Sequence, residues 1–388
     1  MFRRRITIVS TCVALGVGFL IAAAPQTTGS PPGPPISQSS GHVWAQVSAG
    51  IYHTCAIRRD RTLWCWGENR NGALGQGDYN SRYTPTQVGA DTDWARISSG
   101  FFHTCATRID HTLWCWGWNG QGQLGTGDQG DRLIPTQVGT DSDWALIRLG
   151  YQHTCATRTD HTLWCWGWNI SGQLGLGDTT DRLVPTQVGT GTYWARVNAG
   201  YVHTCGLRRN HTLWCWGNNG YGQLGLGDTA DRHTPRHVDP GSTWASFRGG
   251  RDHTCGIRTD RTLWCWGHNN YGQLGLDDTI DRTMPSQVGT GTDWGSIATG
   301  GYHTCGTRID HTLWCWGYNE FGSLGLGDKT NRNTPAQVGT GTDWASTSTG
   351  GYHTCGIRTN HALWCWGRNQ SGQLGLGDTR TRLYPRQV

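Results

Sequence analysis

A repeat with a strict period of fifty residues constrains the fold of this chain more than any other feature of its sequence. The phrase "HTCATRTDHTLWCWG" at residues 153–167 has a counterpart in each of seven units, with no insertion or deletion from Trp44 to the last residue. Repeats of roughly 20–50 residues build solenoids, propellers or arrays, because one unit cannot bury its apolar surface alone. In the first unit, four runs have the composition of short strands: residues 43–49, 53–58, 62–67 and 84–88.

The number of strands and units favours a closed ring. Four strands per unit, seven units and no atypical unit at either end are typical of a propeller, whereas a solenoid would need polar capping repeats. The 59 glycines and 23 tryptophans also suit short strands and tight turns better than helices. We therefore predict an all-β fold for residues 44–388, a seven-bladed β-propeller of four-stranded antiparallel blades.

Loop lengths predict how the ring closes. The link from Val88 to Trp94 is short and the link from Gly67 to Thr84 is long, and short links usually join strands of one sheet. A blade would then combine the fourth run of one unit with the first three runs of the next. Residues 384–388 would complete the first blade and clasp the ring. The alternative is seven self-contained blades.

The repeat pattern resembles that of a known family. The segments "GxxHTC", "TLWCWGxNxxGQLGLGD" and "PTQV" recur in this order over residues 44–388 and are similar to the repeat of the regulator of chromosome condensation family. The resemblance implies a seven-bladed propeller. It leaves the function open, because that family includes an exchange factor for a small GTPase, a plant photoreceptor and secreted bacterial inhibitors. In format this chain is similar to the exported bacterial members.

The first 43 residues predict export. Residues 1–24 have three arginines followed by an apolar run, which is the form of a signal peptide or of an uncleaved membrane anchor. Residues 25–43 are rich in Pro, Gly and Ser and are typical of a linker. Both interpretations place the rest of the chain outside the cytoplasm, either secreted or tethered to a membrane by its N-terminal segment alone.

Fourteen of the fifteen cysteines fall in pairs ten residues apart. If residues 59–61 form a hairpin loop, Cys55 lies opposite Cys65 at a non-hydrogen-bonded position, where Cα atoms approach closely enough for a disulfide. Export makes oxidation the expected state. Free buried thiols, or a metal site that includes His53, are the alternatives. The predicted bridges are Cys55–Cys65, Cys105–Cys115, Cys155–Cys165, Cys205–Cys215, Cys255–Cys265, Cys305–Cys315 and Cys355–Cys365.

Other repeated residues have structural explanations. The tryptophans of the "TLWCWG" run lie on the sheet face opposite the cysteines, so we expect them to pack between blades. Carboxylates recur in the columns of Asp60 and Asp78, where aspartate is typical of turns. We expect these carboxylates to cap turns and to pair with the Arg58 and Arg82 columns.

The sequence offers no recognisable catalytic or cofactor motif. The segment "GQLGLGD" lacks the Gly-Lys-Ser/Thr of a phosphate-binding loop, and the ionisable residues that are unique to one unit belong to different units. We therefore predict no enzyme activity, no cofactor and no metal. Removing Arg3, Arg4 and Arg5 from the 32 basic residues leaves 29 against 27 acidic ones, with no basic run, which argues against nucleic acid as a partner.

Variation between units is concentrated in the loops after the first and third strands, which an antiparallel meander brings to the same end of the ring. We predict a secreted or surface-tethered, non-enzymatic propeller that binds a protein, or a surface glycan, through aromatic residues of these loops. The alternatives are an exchange-factor-like regulator of a small GTPase, a hydrolase with an unrecognised site, and loops that only cover their own blades. The candidate residues are Phe101, Phe102, Trp118, Tyr151, Trp168, Tyr201, Tyr221, Tyr271, Tyr318 and Phe321.

Overall fold

The computed structural model describes residues 43–388, so the predicted signal peptide or anchor and all but the last residue of the predicted linker lie outside the described residues. Residues 43–388 form 28 strands in seven four-stranded sheets, each an antiparallel meander of consecutive strands. This is the predicted seven-bladed β-propeller, with one blade for each fifty-residue unit. No helix within these residues is long and apolar enough to cross a membrane.

The strands recur at the same positions in every blade, shifted by fifty residues. The first strand of each blade lines a central channel, and the fourth lies at the outer edge. Their bounds are β1 (Trp44–Ala49), β2 (His53–Arg58), β3 (Leu63–Gly67) and β4 (Arg82–Gln87) in blade 1; β5 (Trp94–Ser99), β6 (His103–Arg108), β7 (Leu113–Gly117) and β8 (Arg132–Gln137) in blade 2; β9 (Trp144–Leu149), β10 (His153–Arg158), β11 (Leu163–Gly167) and β12 (Arg182–Gln187) in blade 3; β13 (Trp194–Ala199), β14 (His203–Arg208), β15 (Leu213–Gly217) and β16 (Arg232–His237) in blade 4; β17 (Trp244–Gly249), β18 (His253–Arg258), β19 (Leu263–Gly267) and β20 (Arg282–Gln287) in blade 5; β21 (Trp294–Thr299), β22 (His303–Arg308), β23 (Leu313–Gly317) and β24 (Arg332–Gln337) in blade 6; and β25 (Trp344–Thr349), β26 (His353–Arg358), β27 (Leu363–Gly367) and β28 (Arg382–Gln387) in blade 7.

The predicted clasp is wrong, because the ring consists of seven self-contained blades. Strand β4 completes the first blade and β28 pairs with β27 of its own unit. The long link after β3 folds into a compact loop that returns the chain to its own sheet: Asn69 Nδ2 donates to the Asp78 carbonyl (2.8 Å), and Asn69 Oδ1 accepts from the Leu74 N–H (2.9 Å). The short link before Trp94 instead passes to the next blade.

The second and third strands of each blade form the predicted hairpin with the predicted register. Cys55 lies opposite Cys65 and Ala56 lies opposite Trp64. All seven predicted disulfides are present, each buried and each with a Cα–Cα distance of 4.1 Å. Because both cysteines of every pair form a disulfide, they are neither free thiols nor metal ligands.

The hydrophobic core lies between neighbouring blades. In the first interface, the disulfide and leucines of blade 1 pack against Trp94 and Trp116 of blade 2, both almost completely buried. The packing of Trp116 is the one expected for the tryptophans of the "TLWCWG" run, and each indole buries a large apolar area. The column of Trp64 is only partly buried, and the Arg58 guanidinium lies 3.6 Å from the Trp64 ring centre.

The Gly-Gln-Leu-Gly segment joins each blade to the next. In blade 2 the Gln123 carbonyl accepts hydrogen bonds from Trp166 Nε1 (3.0 Å) and Thr154 Oγ1 (2.8 Å) of blade 3. Gly125 has a φ of 75°, and a Cβ on it would lie 2.7 Å from Trp166 Nε1. A side chain there would strain the backbone and collide with the indole, so this position requires glycine.

The same contacts close the ring between blades 7 and 1. The Gln373 carbonyl of blade 7 accepts hydrogen bonds from Thr54 Oγ1 (2.8 Å) and Trp66 Nε1 (3.0 Å) of blade 1. The Gly351 N–H also donates to the Gly50 carbonyl (3.2 Å). Closure therefore depends on an ordinary blade interface and not on a shared strand.

Seven buried histidines, which we call the histidine belt, connect the blades. His53 Nε2 lies 2.9 Å from Thr104 Oγ1 of the next blade, and this contact recurs in all seven interfaces. The Thr104 hydroxyl donates to the Ala73 carbonyl (2.8 Å), so His53 Nε2–H must be the donor to Thr104. Burial lowers the histidine pKa values to about 3 or about 4. The belt consists of His53, His103, His153, His203, His253, His303 and His353.

The predicted ion pairs form in one column and not in the other. Asp78 pairs with Arg82 in every blade, at N–O distances of 2.5–2.7 Å. The predicted pairing of Asp60 with Arg58 is wrong: within residues 43–388 no ion pair joins these columns. Asp60 Oδ1 instead accepts hydrogen bonds from the backbone and hydroxyl two residues later. Arginines of the Arg58 column pair with an aspartate just before the first strand, at 2.6 Å in blade 2.

Candidate binding face

The loops after the first and third strands of each blade lie at the same end of the ring. The Glu68 N–H donates to the Tyr52 carbonyl (2.9 Å), and the equivalent bond ties these two loops together in all seven blades. The repeat glycine of each first loop packs closely against the next blade: a Cβ on Gly50 would lie 2.6 Å from the Gly100 carbonyl oxygen. The residues that follow the glycines therefore line the mouth of the central channel.

Aromatic rings from blades 1 to 4 form a continuous series at this mouth, which we call the first arc. Tyr151 stacks on Tyr201 with ring centres 4.1 Å apart, and Phe101 meets Tyr151 edge-on at 4.4 Å. Stacked and edge-to-face pairs of this kind stabilise each other beyond the area that they bury. The first arc consists of Tyr52, Phe101, Phe102, Trp118, Tyr151, Trp168 and Tyr201.

Blades 5 to 7 contribute a second arc. Tyr271 meets Tyr318 edge-on with ring centres 5.0 Å apart, and the rings of Tyr302 and Tyr352 are 5.7 Å apart. Tyr318 also donates a hydrogen bond to Glu320 (2.7 Å). The second arc consists of Tyr271, Tyr302, Tyr318, Phe321 and Tyr352.

Arg251 joins the two arcs on one side. Its guanidinium carbon lies 4.8 Å from the Tyr201 ring centre and 5.0 Å from the Tyr302 ring centre, within the range of cation–π attraction. Arg251 also donates a hydrogen bond to the Tyr302 hydroxyl and pairs with Asp252 at 3.2 Å. Burial raises the pKa of Asp252, an effect that Arg251 and His268 partly oppose.

Arg368 joins the arcs on the other side. Its guanidinium carbon lies 5.6 Å from the ring centre of Tyr52 in the first arc, and 5.2 Å and 5.4 Å from those of Phe321 and Tyr352 in the second. The two arcs with Arg251 and Arg368 thus form a closed ring of side chains around the channel mouth. We call this ring the aromatic belt.

Nine of the ten residues predicted from the sequence lie in the aromatic belt. The exception is Tyr221, which is 43% exposed and has its ring centre 4.4 Å from that of His268. Five belt residues are not among the predicted ones, although the sequence contains a signal for each. Tyr52, Tyr302 and Tyr352 occupy the second position after the repeat glycine, which is the position of Phe102. Arg251 and Arg368 occupy positions where other units have aromatic residues.

Burial keeps three tyrosines of the aromatic belt, Tyr201, Tyr302 and Tyr318, neutral at physiological pH. Burial raises the pKa of Tyr302 to about 12, although Arg251 opposes the effect. Burial, followed by hydrogen bonding to Tyr151, raises the pKa of Tyr201, and burial followed by the hydrogen bond to Glu320 raises that of Tyr318. These phenols are hydrogen-bond donors with flat apolar faces. The arrangement is therefore suited to contact and hydrogen bonding.

Trp118 and Trp168 lie outside the hydrophobic clusters between blades. Both are half-buried, and each meets an aromatic ring of the same blade with centres 6.2 Å apart, Trp118 with Phe102 and Trp168 with Tyr151. A Cβ on Gly120 would lie 2.7 Å from the Trp118 ring, so this glycine makes room for the indole. The two indoles extend the first arc outward from the channel mouth.

No group of three His, Cys, Asp or Glu side chains suited to a metal ion occurs within residues 43–388. Three carboxylates lie beside the belt, and each already has a partner: Asp252 pairs with Arg251, Glu320 accepts a hydrogen bond from Tyr318, and Glu68 accepts one from Ser371. The functional groups that converge at the channel mouth are thus aromatic faces, phenols and two guanidiniums.

Comparison with known proteins agrees with this architecture. Among solved structures, human WBSCR16 is similar over 84% of this chain and 93% of its own (20% identity, TM-score 0.76). Prp20p from Saccharomyces cerevisiae is similar over 79% of this chain and 80% of its own (20% identity, TM-score 0.71), and the receptor kinase CR4 ectodomain from Physcomitrella patens over 84% and 74% (20% identity, TM-score 0.54). At this identity the likeness shows the fold alone.

Profiles for the regulator of chromosome condensation (RCC1) repeat match the chain in seven consecutive segments. One profile matches residues 61–107, 110–157, 160–207, 210–257, 261–306, 310–357 and 360–388. A second profile of the same description matches the strands around each first loop, beginning at residues 44–73 and ending at residues 344–373. Together they cover nearly all of the described residues. This chain therefore belongs to the regulator of chromosome condensation (RCC1) repeat family.

Proposed function

We propose that this protein is a non-enzymatic binding protein of an oxidising compartment outside the cytoplasm, and that it captures a protein partner through the aromatic belt. The observation that carries the proposal is the belt itself: twelve aromatic rings and two arginines that close around one end of the ring. Blade cores repeat almost without change. A partner can therefore recognise a unique orientation only where the blades differ.

The composition of the belt matches that of energetically dominant protein contacts. Such contacts are enriched in Trp, Tyr and Arg, because these side chains bury much area and lose little conformational entropy on docking. The rings at the channel mouth are half-buried, so they are already ordered by their neighbours and still present a face to solvent. Pre-ordering of this kind lowers the entropic cost of association.

The seven disulfides support a location outside the cytoplasm. Disulfides persist in oxidising compartments and are rare where glutathione and thioredoxin keep thiols reduced. A partner confined to the cytosol, such as a small GTPase, does not fit this location. Prp20p, whose binding to Gsp1p and histones has been described, illustrates that a propeller of this fold serves as a protein-binding surface.

A double substitution tests the belt directly. Trp118→Ala with Trp168→Ala removes two indoles outside the hydrophobic core, so the fold should persist while affinity falls by about 2 kcal/mol or more per anchor residue, which is roughly 30-fold each. The matched control is Tyr79→Ala with Tyr384→Ala, two exposed aromatics outside the belt. Tyr221→Ala is measured separately, because Tyr221 is a predicted binding residue that lies outside the belt and its effect shows whether the contact extends beyond the belt.

The measurement is capture from the extracellular fraction of the native host by the immobilised full chain and its variants. Proteins retained by the wild type and by the Tyr79 and Tyr384 control, and lost with the Trp118 and Trp168 double variant, would support the proposal, provided that circular dichroism and melting are unchanged. Loss of capture after glycosidase treatment of the fraction would instead identify a glycan as the ligand. Equal capture by all variants, or unfolding of the double variant, would refute a binding role for these indoles.

A further inference from the structure

Four arginines from the first strands of neighbouring blades line the interior of the ring, away from the aromatic belt. They occupy the third strand position in β5 and β13 and the fifth in β9 and β17, so they form two tiers on one side of the channel. All four line a single cavity, and three of them also line the central channel. We call them the arginine cluster: Arg96, Arg148, Arg196 and Arg248.

The arginine cluster has no counter-charge. Within residues 43–388 none of the four takes part in an ion pair, and neither the channel nor the adjoining cavity is lined by a single Asp or Glu. The first strands of all seven blades lack carboxylates altogether. Partly buried charges in proteins are normally paired, because removal from water penalises the charged form. Arg148 and Arg248 are the half-buried members, and with the exposed Arg96 and Arg196 they concentrate positive charge in one cavity. A fifth arginine of this cavity, Arg158, is already paired with Asp141 and Asp143, so the four cluster members are the ones that remain to attract an anion.

Arg148 and Arg248 show the cost of this arrangement. Burial, together with the neighbouring charges of Arg248, Arg96 and Arg196, lowers the pKa of Arg148 to about 9. Burial, with Arg196, lowers the pKa of Arg248 to about 10. Both guanidiniums are still protonated at neutral pH, so they repel one another within the cavity.

The geometry of the guanidiniums leaves donors free for a ligand. Arg148 Nη1 donates to the Ile147 carbonyl and Arg248 Nη1 donates to the Phe247 carbonyl, both at 2.8 Å, which fixes the two side chains in the same way. A guanidinium carries five N–H donors in a planar fork, and each of these two has one such bond. The remaining donors can bind oxygen atoms bidentately.

The opposite side of the channel carries no charge that competes with the arginine cluster. Blades 6 and 7 line it with small neutral residues, among them Ala298, Thr299, Ser346 and Thr349. The attraction for an anion therefore comes from the arginine side of the channel alone.

We propose that the central channel binds a small multivalent oxyanion, of which phosphate is the simplest, through the arginine cluster. A monovalent anion would leave most of the positive charge uncompensated, whereas a phosphate or pyrophosphate group offers several oxygens and more than one negative charge to the guanidiniums of the cluster. This site is separate from the aromatic belt, and it does not depend on the function proposed for the belt.

The test is calorimetric titration of the full chain with sodium phosphate and with sodium pyrophosphate at pH 7.5, at constant ionic strength maintained with sodium chloride. We expect one site with a Kd below about 1 mM for phosphate and tighter binding of pyrophosphate. Arg148→Gln with Arg248→Gln should weaken binding by at least about tenfold. The matched control, Arg380→Gln with Arg386→Gln, removes two exposed arginines of blade 7 and should bind like the wild type.

A second variant covers the case in which the substitutions at Arg148 and Arg248 disturb the fold. Arg96→Gln with Arg196→Gln changes only solvent-exposed members of the cluster and should also weaken phosphate binding. In phosphate-free buffer the Arg148 and Arg248 double variant should melt no lower than the wild type, because it relieves repulsion. Absence of saturable binding, or equal affinity in both cluster variants and the control, would overturn the proposal and leave only non-specific association with anions.

Discussion

The seven neutral histidines of the histidine belt make the folding stability of this protein dependent on pH. Each has a pKa lowered to about 3 or about 4 by burial in the folded state, against about 6.5 in an unfolded chain. As pH falls below about 6.5 the unfolded chain binds protons that the folded chain cannot bind. Stability is therefore complete above this pH and is lost progressively as pH falls towards the folded pKa values.

The expected loss is large because seven equivalent groups titrate together. Between pH 7.5 and pH 5.5 one such histidine lowers the free energy of unfolding by about 1.4 kcal/mol, and the seven together by about 10 kcal/mol. This is comparable with the entire stability of a typical domain, about 5–15 kcal/mol. The Asp78 column does not contribute in this range, because its hydrogen bond with Arg82 lowers the pKa of Asp78 below its ordinary value.

Substitution of a single belt residue tests the calculation. In His153→Gln the amide nitrogen can still donate to Thr204, which lies 2.9 Å from His153 Nε2, but the side chain no longer titrates. The loss of stability between pH 7.5 and 5.5 should then shrink by about 1.4 kcal/mol, one-seventh of the total. The control is His233→Gln, since His233 is exposed and lies outside the belt.

The assay is equilibrium unfolding in guanidinium chloride, followed by tryptophan fluorescence at pH 7.5, 6.5 and 5.5. The wild type and His233→Gln should lose stability with the same steep dependence on pH, and His153→Gln with a shallower one. A wild-type change of less than about 3 kcal/mol over this range would refute the reasoning. So would a His153→Gln variant that keeps the full dependence, because the belt would then be protonated in the folded state.

Gly125→Ala should destabilise the protein by about 3 kcal/mol or more, because the new side chain strains the backbone and collides with an indole. The control Gly139→Ala has a similar φ but lies in open space, so it should cost about 1–2 kcal/mol. Melting curves of the two variants measure the difference. Thiol titration of unreduced protein should find no free thiol within residues 44–388, and removing the Cys155–Cys165 bridge should cost at most about 3 kcal/mol in chemical unfolding, since its loop is short. Deleting residues 381–388 removes β28 and, with Val388, a contact to the core between blades 7 and 1, so hydrogen exchange should increase in β27 and stay unchanged in the distant blade 3. Increased exchange across blade 3 would contradict this.

Local sequence was sufficient for the number of blades, for the register of the hairpin and for the disulfides. The fifty-residue period predicted one blade per unit, and the ten-residue spacing of Cys55 and Cys65 predicted the hairpin register and the disulfides. The register and the disulfides could be predicted because pairing across a three-residue loop leaves a single register that puts the cysteines opposite each other. The shared end of the first and third loops likewise follows from the meander alone.

Side-chain contacts within the long loops and between blades decided what the sequence could not. Loop length favoured a clasp by residues 384–388, but Asn69 and its equivalents fold the long link into a compact loop, so each sheet keeps its own fourth strand. The closure of the aromatic belt by Arg251 and Arg368 depends on side chains of different blades meeting across the channel mouth.

The interior of the ring depends on tertiary structure in the same way. In sequence, Arg148 and Arg248 are a hundred residues apart and look like ordinary surface charges. Only the circular arrangement of first strands brings them into one cavity without a counter-charge. The period of the sequence thus determined the blade, while the curvature of the ring, set by packing between blades, determined which side chains share the channel.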